Sequence, residues 1–114
     1  MNIVLDECLP RLLRDFLPGQ TVRTVQELGA AGLKNGALLA YLSRPDVCDV
    51  LVTGDRNMPF QQSLALRPFA VVILHARTNR LSDLVPLMAD LLSFLPEVRA
   101  GEVHEIGSRA GEDR

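Results

Sequence analysis

Three short apolar runs constrain this chain more than anything else in it: Ile3-Val4-Leu5, Val50-Leu51-Val52-Thr53 and Ala70 to Leu74. Each is too brief for a helix, and the third is apolar at every position, so neither of its faces suits water. Strands covered on both faces belong to parallel sheets with helices above and below. The intervening segments supply such helices. Strand and helix alternate along the chain, which predicts one doubly wound α/β domain: three layers, α/β/α, around a mostly parallel central sheet.

Residues 2–5 read as the first strand. A helix follows, with Leu9, Leu12, Leu13, Phe16 and Leu17 at the i, i+3, i+4, i+7, i+8 spacing of one buried face. Pro10 suits its first turn, and Pro18-Gly19 stops it. Thr21 to Thr24 is a short, half-polar strand, and Val25 to Leu28 a single helical turn ended by Gly29. Asn35 is placed to cap a helix that buries Leu38, Leu39 and Leu42 and closes before Pro45. After the strand at 50–53, a short helix starts near Pro59. Leu81, Leu84, Val85, Met88, Leu91, Leu92 and Leu95 trace the stripe of a long helix, 81–95, with Pro86 as a point of bending. Val103 to Ile106 adds an edge strand. The single domain is therefore 1–106, and the polar, glycine-containing stretch 107–114 is a tail expected to fray.

Composition narrows the classes. A chain of 114 residues with 47% apolar content suits one filled core rather than disorder. Trp is absent and aromatics are 4%, so that core is built of Leu, Val and Ala. The longest uninterrupted apolar stretch, Phe69 to Leu74, is far short of the roughly 20 residues of a membrane span, and Asp6 and Glu7 interrupt any opening signal-like segment. Cys8 and Cys48 lack metal-site spacing and read as reduced thiols of a cytoplasmic protein. Of the 12 basic residues one is Lys34, leaving 12 − 1 = 11 arginines. That bias is compatible with phosphate contact and is equally the product of a G+C-rich genome. A net charge of −2 argues against strong non-specific binding of nucleic acid.

The chemistry-bearing residues follow the strands. Asp6 and Glu7 come directly after Leu5, and Asp55 comes one glycine after Thr53. In a parallel sheet these ends share one edge, where open α/β folds build their sites. Carboxylates gathered there repel one another unless a cation or proton compensates, which points to a divalent metal. The competing reading of Asp6 is a helix cap, although it lies several residues ahead of the helix start. Glu7 is a second ligand or an N-terminal charge for that helix. Asp55 is a site residue or a turn aspartate bonded to its own backbone, as Gly54 and Asn57 would allow. Arg56 and Asn57 follow as candidate substrate contacts. After the strand at 70–74, His75-Ala76-Arg77-Thr78-Asn79-Arg80 reaches the same edge; Arg77 and Arg80 are candidate phosphate contacts, and Asn79 a candidate cap for the last helix. Asp49 precedes its strand and falls at the opposite edge. No Gly-rich phosphate loop, Cys/His metal spacing or nucleophile-elbow motif occurs.

Leu5-Asp6-Glu7-Cys8-Leu9-Pro10, the stretch Gly29 to Leu39 and Thr53-Gly54-Asp55-Arg56-Asn57 together resemble the small stand-alone PIN-like proteins, a branch of the PIN (PilT N-terminus) nuclease superfamily related to VapC-type toxins. The resemblance spans residue 2 to about 95. It implies a parallel α/β/α fold, a Mg²⁺ or Mn²⁺ site built on Asp6 and Asp55 as the catalytic acids with Glu7 as a neighbour, and RNA as the substrate. It also implies an acid near the start of the middle helix, where this chain instead has Asn35-Gly36-Ala37.

Three functions follow as expectations. The first is a metal-dependent ribonuclease, as the toxin of a toxin–antitoxin pair with an antitoxin-like protein partner. The second is a catalytically impaired PIN-like interaction module, which the missing acid favours. The third is a phosphoacceptor receiver-like domain, which also carries an acidic pair after strand one and an aspartate after strand three. Receivers need a lysine after the last core strand, and the only lysine here, Lys34, lies before the middle helix. A homodimer is expected from Leu87 and Phe94, which fall off the main stripe of the last helix and leave it with excess apolar surface.

Overall fold

Alternate residues of each apolar run feed opposite faces of one sheet. In the computed structural model, which describes residues 1–33, 35–58 and 64–107, the strands are β1 (Asn2–Leu5), β2 (Thr21–Thr24), β3 (Val50–Thr53), β4 (Ala70–Leu74) and β5 (Val103–Ile106). They lie in the order β2-β1-β3-β4-β5, and every neighbouring pair is parallel. Ile3, Leu5, Val50, Val52, Val72, Leu74 and Ile106 face one apolar cluster. Val4, Leu51, Val71 and Ile73 face the other. All residues of β3 and β4 are buried, as a two-faced strand requires.

Helices cover both faces. The first cluster is closed by Leu9, Leu13 and Leu17 around a 3₁₀ helix, Arg11–Phe16, and by Leu84, Met88, Leu91 and Leu95 from the C-terminal helical stretch. The second is closed by Leu38, Leu39 and Leu42 of α1 (Asn35–Leu42) and by Met58, Leu64 and Phe69. This is the expected three-layer α/β arrangement. The helix expected near Pro59 and the tail beyond Gly107 lie outside the described residues.

Two helices differ from the sequence reading. The segment after β1 is a six-residue 3₁₀ helix, whose tighter winding cannot keep five apolar residues on one face. Leu12 and Phe16 are consequently exposed, at 50% and 39%. The C-terminal stretch is broken: α2 (Leu81–Leu84) passes through a 3₁₀ turn, Val85–Leu87, into α3 (Met88–Phe94), and a second 3₁₀ turn, Leu95–Glu97, ends it. Pro86 lacks the N–H that a continuous α-helix needs, so the hydrogen-bond pattern changes at that turn. The buried stripe survives the break, with Leu84 and Leu91 fully inaccessible.

Chain direction adds a further feature. The crossover from β1 to β2 runs on the first face, whereas those from β2 to β3 and from β3 to β4 run the opposite way along the sheet on the second face. These three therefore share one hand. The crossover from β4 to β5 continues away from β3 yet lies on the first face, so it has the opposite hand, against the strong preference for a single hand in such units. The apolar pattern supplies the reason: Val50, Val52, Val72 and Leu74 would otherwise lie bare on that face, and the second face over β3 and β4 is already occupied.

Leu87 and Phe94 do not form the free apolar surface that the dimer expectation invoked. Both pack against the first cluster, and Phe94 stacks on His104 of β5 with ring centroids 3.6 Å apart and planes within 5°. No helix among the described residues is long and apolar enough to cross a membrane.

Candidate site at the carboxyl edge of the sheet

β1 has β2 on one side and β3 on the other, so the chain departs from it in both directions. At such a switch point the loops diverge and leave a crevice at the carboxyl ends of the strands. The register pairs Leu5 with Val52, and the Asp6 amide continues the ladder to the Val52 carbonyl at 2.9 Å. Asp6 and Thr53 therefore stand side by side where β1 and β3 end.

Thr53 joins the two acids. Its hydroxyl, fully buried, donates to Asp6 Oδ2 at 2.7 Å and accepts the Asp55 amide N–H at 3.0 Å. The second Asp6 oxygen, Oδ1, accepts the Glu7 amide at 2.9 Å. Asp55 Oδ1 accepts the Asn57 amide at 2.9 Å, the turn geometry that the alternative reading of Asp55 described. That bond sets the carboxylate's direction while its second oxygen has no protein hydrogen bond among the described residues. Asp6 and Asp55 are both partly exposed, so the crevice reaches solvent.

Glu7 turns aside. Its Oε1 accepts the Gly32 amide at 2.9 Å, which fastens the loop after β1 to the turn ahead of α1. Arg56 reaches across to the β4 loop and donates to the Ala76 carbonyl at 3.2 Å. Arg77 and Arg80 are exposed beyond β4 on this edge, and Asn57 is exposed beside Asp55. Asp49 lies at the opposite edge, as expected, with Oδ2 accepting the Asn2 amide at 2.7 Å.

Three residues take positions that sequence reasoning missed. Cys8 sits beside Asp6, Thr53 and Gly54. Desolvation first, and then the Asp6 carboxylate, push its thiol above the ordinary range, against opposing hydrogen bonds from the Gly54 backbone and the Thr53 hydroxyl. Asn79 does not cap the last helix. Arg80 stands at the N-cap with no side-chain cap bond, and Thr78 in the preceding turn accepts the Arg80 amide at 3.0 Å and donates to Asp83 Oδ2 at 2.6 Å. The Asn79 amide instead lies over Gly54, so closely that a Cβ there would come within 2.6 Å of Asn79 Oδ1. His75 is 5% exposed, and its Nε2 is 2.6 Å from Glu105 Oε1. That contact ties the end of β4 to β5.

The donor set suits a loosely held hard cation. Asp6 and Asp55 offer carboxylate oxygens on adjacent strand ends, and Mg²⁺ commonly uses one or two carboxylates with waters and substrate phosphates. Glu7 is drawn toward Gly32, and among the described residues no three of His, Cys, Asp or Glu gather as a ready-made cage. No protein-family model, no curated protein and no solved structure matches this chain.

Proposed function

We propose that the chain is a metal-dependent phosphodiesterase acting on RNA, with Asp6 and Asp55 as its essential acids. The observation that carries this reading is the Thr53 bridge. A buried hydroxyl orients two acids on neighbouring strand ends at the topological switch point, where α/β folds bind ligands. Thr53 and the Glu7 amide hold Asp6 in one orientation, and the Asn57 amide holds Asp55. Bound Mg²⁺ or Mn²⁺ would supply Lewis-acid polarisation of a phosphoryl oxygen and a more acidic water. Arg56, fixed to the Ala76 carbonyl, together with Arg77 and Arg80 places guanidinium groups on the β4 side of the crevice, where they suit phosphate oxygens. An antitoxin-like partner belongs to the same proposal.

The experiment is cleavage of single-stranded RNA in Mn²⁺, compared among the parent protein, Asp6→Asn and Asp55→Asn. Both variants should lose activity while keeping the fold. Undiminished cleavage by either variant would refute the assignment.

A second reading has one observation in its favour. The strand order β2-β1-β3-β4-β5 is that of flavodoxin-like and receiver domains, which makes Asp55 a phosphoacceptor candidate. Incubation with acetyl phosphate separates the two readings: a receiver gains the mass of one phosphoryl group at Asp55, and a phosphodiesterase does not.

A further inference from the structure

The loop after β4 is fastened across the end of β3. Arg56 donates to the Ala76 carbonyl at 3.2 Å, and the Thr78 hydroxyl bonds both the Arg80 amide and Asp83 Oδ2. Asn79 is thereby delivered onto Gly54, the one residue between Thr53 and Asp55. A Cβ at Gly54 would stand 2.6 Å from Asn79 Oδ1, 3.2 Å from its Cγ and 3.3 Å from its Nδ2. Gly54 does not have a positive φ, so its backbone conformation does not call for glycine. Space for the Asn79 carboxamide does.

The ordinary uses of that carboxamide are absent. It does not cap the following helix, whose N-cap has no side-chain bond. It is exposed and makes no hydrogen bond among the described residues. The Gly54 backbone is bonded by Cys8 instead. Of its two polar atoms the oxygen, rather than the nitrogen, lies closer to the Gly54 seat. An unbonded amide oxygen set against the segment that joins two carboxylates adds a further negative end to a place already rich in them, and a cation bound there reverses the sign of that interaction.

We propose that Asn79 is the third protein oxygen donor of the divalent-cation site, the neutral partner of Asp6 and Asp55. The inference rests on the metal-dependent reading above and adds a ligand to it. Carboxamide carbonyls bind hard cations, so the acid missing from the start of α1 is answered from the β4 loop by a group without charge. The glycine at position 54 is the cradle that admits it.

The test is Mn²⁺ titration in high salt, followed by the electron paramagnetic resonance of the free aquo ion, on the parent, Asn79→Ala, Asn79→Asp, Gly54→Ala and Asp6→Asn. Asn79→Ala should weaken binding about tenfold, the lower end of what even an outer-shell partner contributes to a metal site. Asn79→Asp should tighten it by about the same factor, because affinity follows ligand charge. A merely structural asparagine gives no such gain, and high salt screens a new charge that only lies nearby. Gly54→Ala fills the seat and should lose what Asn79→Ala loses, with the double variant no weaker than either single one. If Gly54→Ala does not fold, the two substitutions at the exposed Asn79 decide. Asn79→Ala and Asn79→Asp that bind Mn²⁺ as the parent does overturn the inference. The failures are separable: a loss in Asp6→Asn with none in Asn79→Ala sinks this inference alone, whereas equal affinity in Asp6→Asn and the parent, or no binding by the parent and Asn79→Asp, sinks the metal reading as well.

Discussion

Thr53 shows how much of a site can hang on one hydroxyl. Valine has nearly its shape but cannot bridge Asp6 Oδ2 and the Asp55 amide. Because the hydroxyl bonds a carboxylate, Thr53→Val should destabilise the protein by about 1.5–3 kcal/mol, whereas Thr53→Ser should recover most of that in urea unfolding. The cysteines give a second check at this scale. Burial pushes the Cys48 thiol up to about 12, so iodoacetamide at mildly alkaline pH should leave it intact until denaturant is added. Cys8 is exposed but raised in the same direction, so it should be alkylated in the native protein, slowly, with a rate that rises with pH. The places of Asp6 and Asp55 at one edge were legible because Asp6 follows an apolar run directly and Asp55 follows one after a single glycine. Cys8 and Asn79 were not, because their place depends on the approach of Gly54 from a different strand, which no local pattern encodes.

At the scale of elements, β3 and β4 were readable because burial on both faces leaves them almost wholly apolar, while β2 and β5, partly exposed, showed only as short mixed stretches. The helices were less so. A stripe at helical spacing states which residues seek the core, not which winding delivers them, and both the 3₁₀ helix after β1 and the break at Pro86 keep part of the stripe while changing the winding. Leu91 is fully buried in the broken stretch, so Leu91→Ala should cost about 2–5 kcal/mol, while Leu66→Ala, at a residue 92% exposed, should be near neutral. The turn after β2 is a capping box. Thr24 Oγ1 accepts the Glu27 amide at 3.0 Å, and Glu27 Oε1 accepts the Thr24 amide at 2.9 Å. The Thr24 backbone first and Arg14 second hold the Glu27 carboxyl below its ordinary range. A depressed carboxyl stabilises the fold above its unfolded-state value, and that contribution is lost as pH falls through the folded-state value. Stability measured across the acid range should therefore decline less steeply in Glu27→Gln than in the parent, and the two should differ most near neutrality. The reversed hand of the β4–β5 crossover was invisible in the sequence, because it follows from which face of β3 and β4 remains uncovered once α1, Met58, Leu64 and Phe69 have packed.

Taken as a whole, the molecule pairs a largely apolar sheet interior with an acidic, partly open rim at one edge. The acid pair is the feature on which the functional account rests. A ligand that binds the folded state at about 100 times its dissociation constant adds roughly 2.7 kcal/mol of stability, and a site with two carboxylates implies weak affinity and millimolar metal. The decisive measurement is the melting temperature with and without Mn²⁺ in the parent, Asp6→Asn and Asp55→Asn. A rise of several degrees is expected in the parent and none in either variant, with Asp6→Asn less stable than the parent in metal-free buffer because a carboxamide cannot accept from both the Thr53 hydroxyl and the Glu7 amide. An identical response in parent and variants would mean that Asp6 and Asp55 serve the loops alone, and the metal-dependent phosphodiesterase reading would fall.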